Sequence, residues 1–385
     1  MRALNRSTVL NTIKTHGSIA RAEVARRSGL SPATVTGITA ELIAEDLVFE
    51  KEAGDSSGGR RPILLAINPR GGCVVGIKLT ETQLVGALTD LEAAVVTTHA
   101  RPISTRSYEK TLDSLAQVVQ NLVQASGFPK NRLLGVGIGL AGTVDAENGV
   151  LRQSPYLGWR DLPIRKLLRA KVRVPVYVDN DVNTLTVAEK WFGAGLGLDH
   201  FLTVTIGRGV GLGIVVNGQF YRGAGGGAGE FGHTVIDPDG PTCACGKRGC
   251  LEAFVSDPGL MFMAAQAVRR GDLTTTPQSV AELVALADSG NVVARSIFAR
   301  AGEILGRGLA NLINVFDPQR IIVGGEGVRA GEWLFGPMRA AVALHVLPSL
   351  ASDAEIRVEP WGDDAWARGA ASLVLRELFE SPVRK

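Results

Sequence analysis

Cysteine is scarce in this chain and unevenly placed. Of four cysteines in 385 residues, Cys243, Cys245 and Cys250 fall within a span of eight, and nine residues separate His233 from the first of them. One imidazole and three thiols match a closed tetrahedral zinc site on His233, Cys243, Cys245 and Cys250. Gly246 and Gly249 let so short a loop turn back on an ion. A disulfide would leave one thiol over and is disfavoured in a reducing compartment. The alternative is three buried free thiols beside a hydrogen-bonded histidine. Four protein ligands leave no open coordination position, so the metal is expected to be structural. Two acids flank the loop, Glu230 and Glu252. With the imidazole they make a hydrogen-bonding surface suited to sugar hydroxyls; the plain alternative is two surface glutamates.

The rest of the composition narrows the class. The length suits two or three domains, and the content, 45% hydrophobic and 21% charged, is that of a globular protein. No apolar run reaches the roughly 18 to 20 residues of a membrane span. The N-terminus lacks the apolar stretch of a secretory signal, so the expected compartment is the cytoplasm, with no membrane partner.

Residues 1–70 form a segment of their own. Val9, Leu10 and Ile13 recur at helical spacing, and Gly17-Ser18-Ile19 breaks the pattern. A short helix over Arg21–Ser28 follows, then a turn at Gly29, then a helix opened by the Ser31 cap and Pro32. This is the helix-turn-helix order. Two strands, around Val48–Glu50 and Ile63–Leu65, flank a Gly-rich loop carrying Arg60 and Arg61, which makes a wing. Ten Lys/Arg against seven Asp/Glu give this segment +3, the net charge of the whole chain. Ser31, Ala33, Thr34 and Thr36 are small enough to let a helix enter a major groove, and Arg60 and Arg61 can reach phosphates or a minor groove. The expected partner is DNA; the alternative is a three-helix protein-interaction module with a hairpin.

From Gly72 the periodicity changes to strands, over Cys73–Leu79, Gln83–Thr89 and Val95–Ala100. A helix (Leu112–Gly127) and strands (Leu133–Leu140, Pro175–Asp179) follow. The strand-hairpin pattern restarts at Leu202–Ile206 and Gly211–Val216, with a helix over Ala301–Phe316 and a strand over Arg320–Val323. The repeated order predicts two related α/β lobes with a ligand cleft. Asp181, at a strand end in VDNDVNT, is positioned to act as a general base on a substrate hydroxyl or to cap the helix Val182–Phe192.

EFGHTVID, CACGKRGCLEAFVS, VDNDVN, GLAGTVD and IIVGGEG together resemble the ROK family of repressors and sugar kinases, over roughly residues 72–375. With its winged helix the chain is similar to ROK repressors that respond to xylose, glucose or N-acetylglucosamine. The resemblance implies a two-lobed actin-like (ribonuclease H-like) ATPase fold after a winged helix-turn-helix. The expected parts are a DNA-binding domain (1–70), a first lobe (71–190, completed by about 368–385) and a second lobe with the zinc loop (191–367). It implies Asn180, Asp181, Glu230, His233 and Glu252 as sugar ligands, with Asp181 as base in a kinase member.

The chain departs from the kinase pattern where phosphate binds. The Asp-x-Gly-Gly-Thr turn of ROK kinases reads Lys78-Leu79-Thr80-Glu81-Thr82, and the second phosphate loop carries Arg208 in place of threonine. Side chains at the glycine positions obstruct close backbone approach to phosphate, and Glu81 repels it. Tyr156 replaces a common asparagine. The expected protein is therefore a sugar-responsive transcriptional regulator, a homodimer or homotetramer on operator DNA, and not an enzyme. The competing expectations are an ATP-dependent sugar kinase and a repressor that docks a partner protein.

Overall fold

The computed structural model describes residues 2–52, 63–104, 107–154, 156–350, 354–361 and 365–380. The chain divides into two compact units, one of Met1–Phe192 with Asp364–Lys385, the other of Gly193–Asp363. Each mixes helices with sheet, so the protein is of the α/β class.

The first unit opens with α1 (Arg2–His16), the short strand β1 (Ile19–Ala20), α2 (Arg21–Ser28) and α3 (Pro32–Ala44), then β2 (Val48–Glu52) and β3 (Ile63–Ile67). Gly29 ends α2 at φ 68°, a left-handed cap that its missing side chain permits. Ser31 Oγ accepts from Thr34 N, as the cap predicts. β1 is an addition to the expected wing: Ile19, expected within the break Gly17-Ser18-Ile19, and Ala20 pair antiparallel with β3, giving the order β1-β3-β2. Such a pairing is set by residues more than forty positions away and leaves no local pattern.

Next come β4 (Cys73–Leu79), β5 (Gln83–Thr89), β6 (Val95–Pro102), α4 (Tyr108–Ser126), β7 (Leu133–Leu140), β8 (Thr143–Asp145), β9 (Val150–Gln153), β10 (Arg160–Leu162), α5 (Ile164–Val172), β11 (Val176–Asn180) and α6 (Asp181–Phe192). The central sheet runs β11-β7-β4-β5-β6; β4, β5 and β6 form an antiparallel meander, and β7 and β11 add in parallel.

The second unit contains β12 (Phe201–Ile206), β13 (Val210–Val216), β14 (Gln219–Phe220), α7 (Glu252–Val255), α8 (Asp257–Arg269), α9 (Val280–Asp288), α10 (Val292–Phe316), β15 (Arg320–Gly324), α11 (Glu332–His345) and β16 (Glu355–Val358). Its sheet runs β14-β13-β12-β15-β16, again a three-strand meander extended by two parallel strands. The repeated strand order of the sequence is thus a repeated topology. The 25-residue α10 begins nine residues before the expected Ala301, because Asn291 caps it by accepting from Val293 N and Ala294 N.

The chain then returns to the first unit through α12 (Ala365–Phe379). Gly76 and Gly137 make that packing possible, since a Cβ on either would stand 2.0 Å from Ala367 O or 1.8 Å from Ala370 O. On its other side α12 joins the helix-turn-helix core: Val9, Leu10, Ile13, Val24, Val35 and Leu42 share one buried cluster with Ala371, Leu375 and Phe379.

Candidate functional site

The loop between β14 and α7 brings His233, Cys243, Cys245 and Cys250 together, with one ligand atom from each inside 4.8 Å of all the others. Two antiparallel bridges, Val235 to Cys250 and Thr242 to Arg248, cross-tie it. Cys243 N donates to Lys247 O (2.8 Å) and Gly246 N to Cys243 O (2.9 Å), so the loop knuckles back on itself. Gly246 takes φ 89° and Gly249 φ 68°. A Cβ on Gly249 would lie 1.6 Å from Asp237 O. His233 Nδ1 lies 3.5 Å from Cys243 Sγ, and Cys245 Sγ 3.7 Å from Cys250 Sγ. Burial, then the neighbouring thiols, push the Cys250 thiol up to about 12. A cation among the sulfurs reverses that penalty, because it stabilises thiolates directly. The four donors are disposed to hold a metal ion.

The imidazole has a second face. Its Nε2 lies 3.9 Å from Glu230 Oε2, and the Glu230 side chain is 57% exposed. Glu252 differs from a surface glutamate: it is buried at the start of α7, and its Oε2 accepts from Val210 N at 2.9 Å. The same carboxylate thus fastens the cysteine loop to the start of β13.

In the first unit, Asn180 closes β11 and Asp181 opens α6. The cap belongs to Asn180 and not to Asp181, because Asn180 Oδ1 accepts from Val182 N (2.9 Å) and Asn183 N (3.4 Å) while its Nδ2 donates to Gly142 O (3.1 Å). Asp181 Oδ1 accepts from Val182 N at 3.1 Å. Asp179, not among the expected site residues, is buried and accepts from Asn180 N (2.8 Å) and Asn183 Nδ2 (3.0 Å), fixing this corner. Its signal in the sequence is the acid-to-amide spacing of one helical turn, Asp179 to Asn183.

At the turns where the sequence departs from the kinase pattern, side chains engage their neighbours. Lys78 Nζ sits 3.4 Å from the Trp366 ring centroid. Thr80 closes the β4–β5 turn on itself, its hydroxyl donating to Gln83 O (3.0 Å) and accepting from Gln83 N (3.1 Å). At the turn holding Arg208, the Glu326 carboxylate lies against Gly207, with Oε2 2.4 Å from where a Cβ would stand. Tyr156 is exposed.

Of the expected DNA contacts, Ser31, Ala33 and Thr36 are exposed on α3 and Thr34 is half-buried. Thr36 Oγ1 donates to Pro32 O (2.9 Å) and Ser31 Oγ pairs with Thr34 Oγ1 (2.8 Å). Arg60 and Arg61 lie outside the described residues. Arg26 and Arg27 both pair with Glu23 at 2.5 Å.

Fold and site define a protein of paired α/β sheets with a cysteine–histidine loop in one unit and a winged helix-turn-helix at the head of the other. Residues 74–377 match the ROK family, and the chain belongs to it. It is 32% identical to the xylose repressor of Bacillus subtilis, over 99% of this chain and 97% of that protein. A crystal structure of a ROK family transcriptional regulator, a homologue of the E. coli MLC protein, is similar with a TM-score of 0.89 and 28% identity, over 99% of this chain and 97% of that one. A ROK family glucokinase from Streptomyces griseus matches with a TM-score of 0.69 and 29% identity, over 78% of this chain but 99% of its own. The whole kinase is thus accounted for while part of this chain has no counterpart in it.

Proposed function

We propose that the protein is a sugar-responsive DNA-binding regulator of transcription, a repressor of carbohydrate-uptake or catabolic genes, and that it does not phosphorylate its sugar. The observation that carries this reading is the union, in one chain, of a winged helix-turn-helix with a ROK body in which Lys78 lies on Trp366, Thr80 closes its own turn and Glu326 lies against Gly207. Similarity along the full length to a xylose repressor and a ROK regulator supports it, and the partial match to a glucokinase fits a shared body without the shared reaction.

In this reading α3, through Ser31, Ala33, Thr34 and Thr36, reads operator DNA in the cytoplasm, with Arg60 and Arg61 on the wing against the backbone or minor groove. Sugar hydroxyls are taken by Asn180, Asp181, Glu230, His233 and Glu252. The ion is zinc. A tetrahedral site with Zn–S of about 2.3 Å and Zn–N of about 2.0 Å has S···S edges of roughly 3.8 Å and S···N edges of roughly 3.5 Å, and the observed 3.7 and 3.5 Å agree. Bound there, it holds His233 with Nδ1 inward, leaving Nε2 and Glu230 for a hydroxyl. The working form is a homodimer or homotetramer, as a paired operator requires.

The test is a gel shift of the purified protein on the DNA upstream of its own gene, titrated with D-xylose, D-glucose, N-acetyl-D-glucosamine and their phosphates. A specific shift altered by one sugar supports the reading. A specific shift that no sugar alters refutes the sugar response, and ATP-dependent phosphorylation lost in Asp181→Asn restores the kinase.

A further inference from the structure

Helix α6 has chemistry at both ends. Its first residue is Asp181, with Asn180 as cap. Its last two, Trp191 and Phe192, receive Lys14 from α1 of the helix-turn-helix. The ammonium stands 4.4 Å from each of those ring centroids and 5.5 Å from that of Phe379 on α12, and it donates to Trp191 O at 3.2 Å. A cation on the faces of three rings and on a last-turn carbonyl is held by the ring quadrupoles and by the negative end of the helix dipole. This is the place where the DNA-binding helices meet α6 through a charged group. Immediately after Phe192 the chain passes into the second unit.

The seat is not fully satisfied. Trp191 Nε1 is buried and, among the described residues, has no hydrogen-bond partner. A buried orphan donor costs free energy, so an arrangement that gives the indole an acceptor competes with this one. A rigid helix of about 18 Å, at 1.5 Å per residue, carries a displacement of its first turn to its last.

We propose that α6 transmits the state of the sugar residues at its N-terminus to the DNA-binding helices, and that Lys14, seated on Trp191, Phe192 and Phe379, is the joint that receives it. The inference rests on the sugar-responsive reading above and names the route of that response. Lys14 is a positioning residue here, touching neither DNA bases nor sugar.

The experiment compares wild type, Lys14→Met and Lys14→Arg by two measurements: affinity for the upstream DNA with and without D-xylose, D-glucose or N-acetyl-D-glucosamine, and calorimetric affinity for the same sugar. Coupling between sites is a ratio of affinities, typically about 5- to 150-fold. In Lys14→Met, sugar-free operator affinity and sugar affinity stay within about threefold of wild type, the sugar-induced change in operator affinity falls below about twofold, and Lys14→Arg restores much of it. An undiminished ratio in Lys14→Met overturns the inference while leaving the function intact. Loss of operator binding without sugar also overturns it, by making Lys14 a structural prop. If no sugar changes operator binding of the wild type, the functional reading itself fails and the route fails with it. Should Lys14→Met not fold by circular dichroism, Phe192→Leu reads the same ratio.

Discussion

Substituting Gly249 by alanine tests whether the cysteine loop is a metal cradle with one permitted backbone. The residue sits at φ 68°, and a Cβ there meets Asp237 O at 1.6 Å. A left-handed non-glycine residue costs on the order of 1–2 kcal/mol. The carbonyl must also retreat by nearly 2 Å to reach ordinary contact, and it is the acceptor for Gly240 N at 2.9 Å. Breaking that bond adds about 0.5–1.5 kcal/mol, so the substitution costs about 1.5–3.5 kcal/mol even if the rest of the loop follows freely. Gly246→Ala is the matched control: its φ is 89° but nothing lies within 4 Å of the added methyl. Both proteins are dialysed against buffer without metal, assayed for zinc by mass spectrometry and melted. Gly249→Ala is expected to lose most of its zinc and to melt several degrees below Gly246→Ala, at roughly 2–4 °C per kcal/mol. If the two variants hold equal zinc and melt together, the cradle argument is wrong, because the carbonyl contact is the main difference between them.

Two further outcomes follow from the first unit. Gly137→Ala drives a methyl to 1.8 Å from Ala370 O, so α12 must lift from the sheet; overpacking of this kind costs about 1–3 kcal/mol or more, seen as a lowered urea midpoint, and an unchanged midpoint refutes the packing argument. Burial lowers the Lys14 pKa from its ordinary 10.5 to about 8. Between those values the unfolded chain keeps a proton that the folded chain has released, so stability rises with pH across that window. Wild type should therefore gain stability relative to Lys14→Met as pH goes from 7 to 10, and a difference that stays flat in melting curves rules this out.

What the sequence disclosed was what spacing controls. The thiol cluster, the Ser31 cap, the strand Leu133–Leu140 and the restart of the hairpin pattern at β12 are local signals, and they correspond to structure. What it concealed depends on distant partners. Strand β1 exists only because β3 accepts it. Asn180 and Asp181 are both good caps by composition, and the choice falls to Asn180 because its amide also reaches Gly142 O. Lys14 enters the sequence reading only through the charge of residues 1–70; its seat is supplied by Trp191, Phe192 and Phe379, which lie 177 positions away or more and which no periodicity reports. Glu252 reads as a sugar ligand or a surface acid, and its burial against Val210 N is supplied only by the fold.

The return of α12 to the first unit orders events in time. Ribosomes release the helix-turn-helix before α12, with the whole second unit in between. Until Ala371, Leu375 and Phe379 emerge, the buried cluster they share with Val9, Leu10 and Ile13 of α1 is incomplete. A chain still tethered to its messenger therefore carries its helix-turn-helix on a core that α12 has yet to complete.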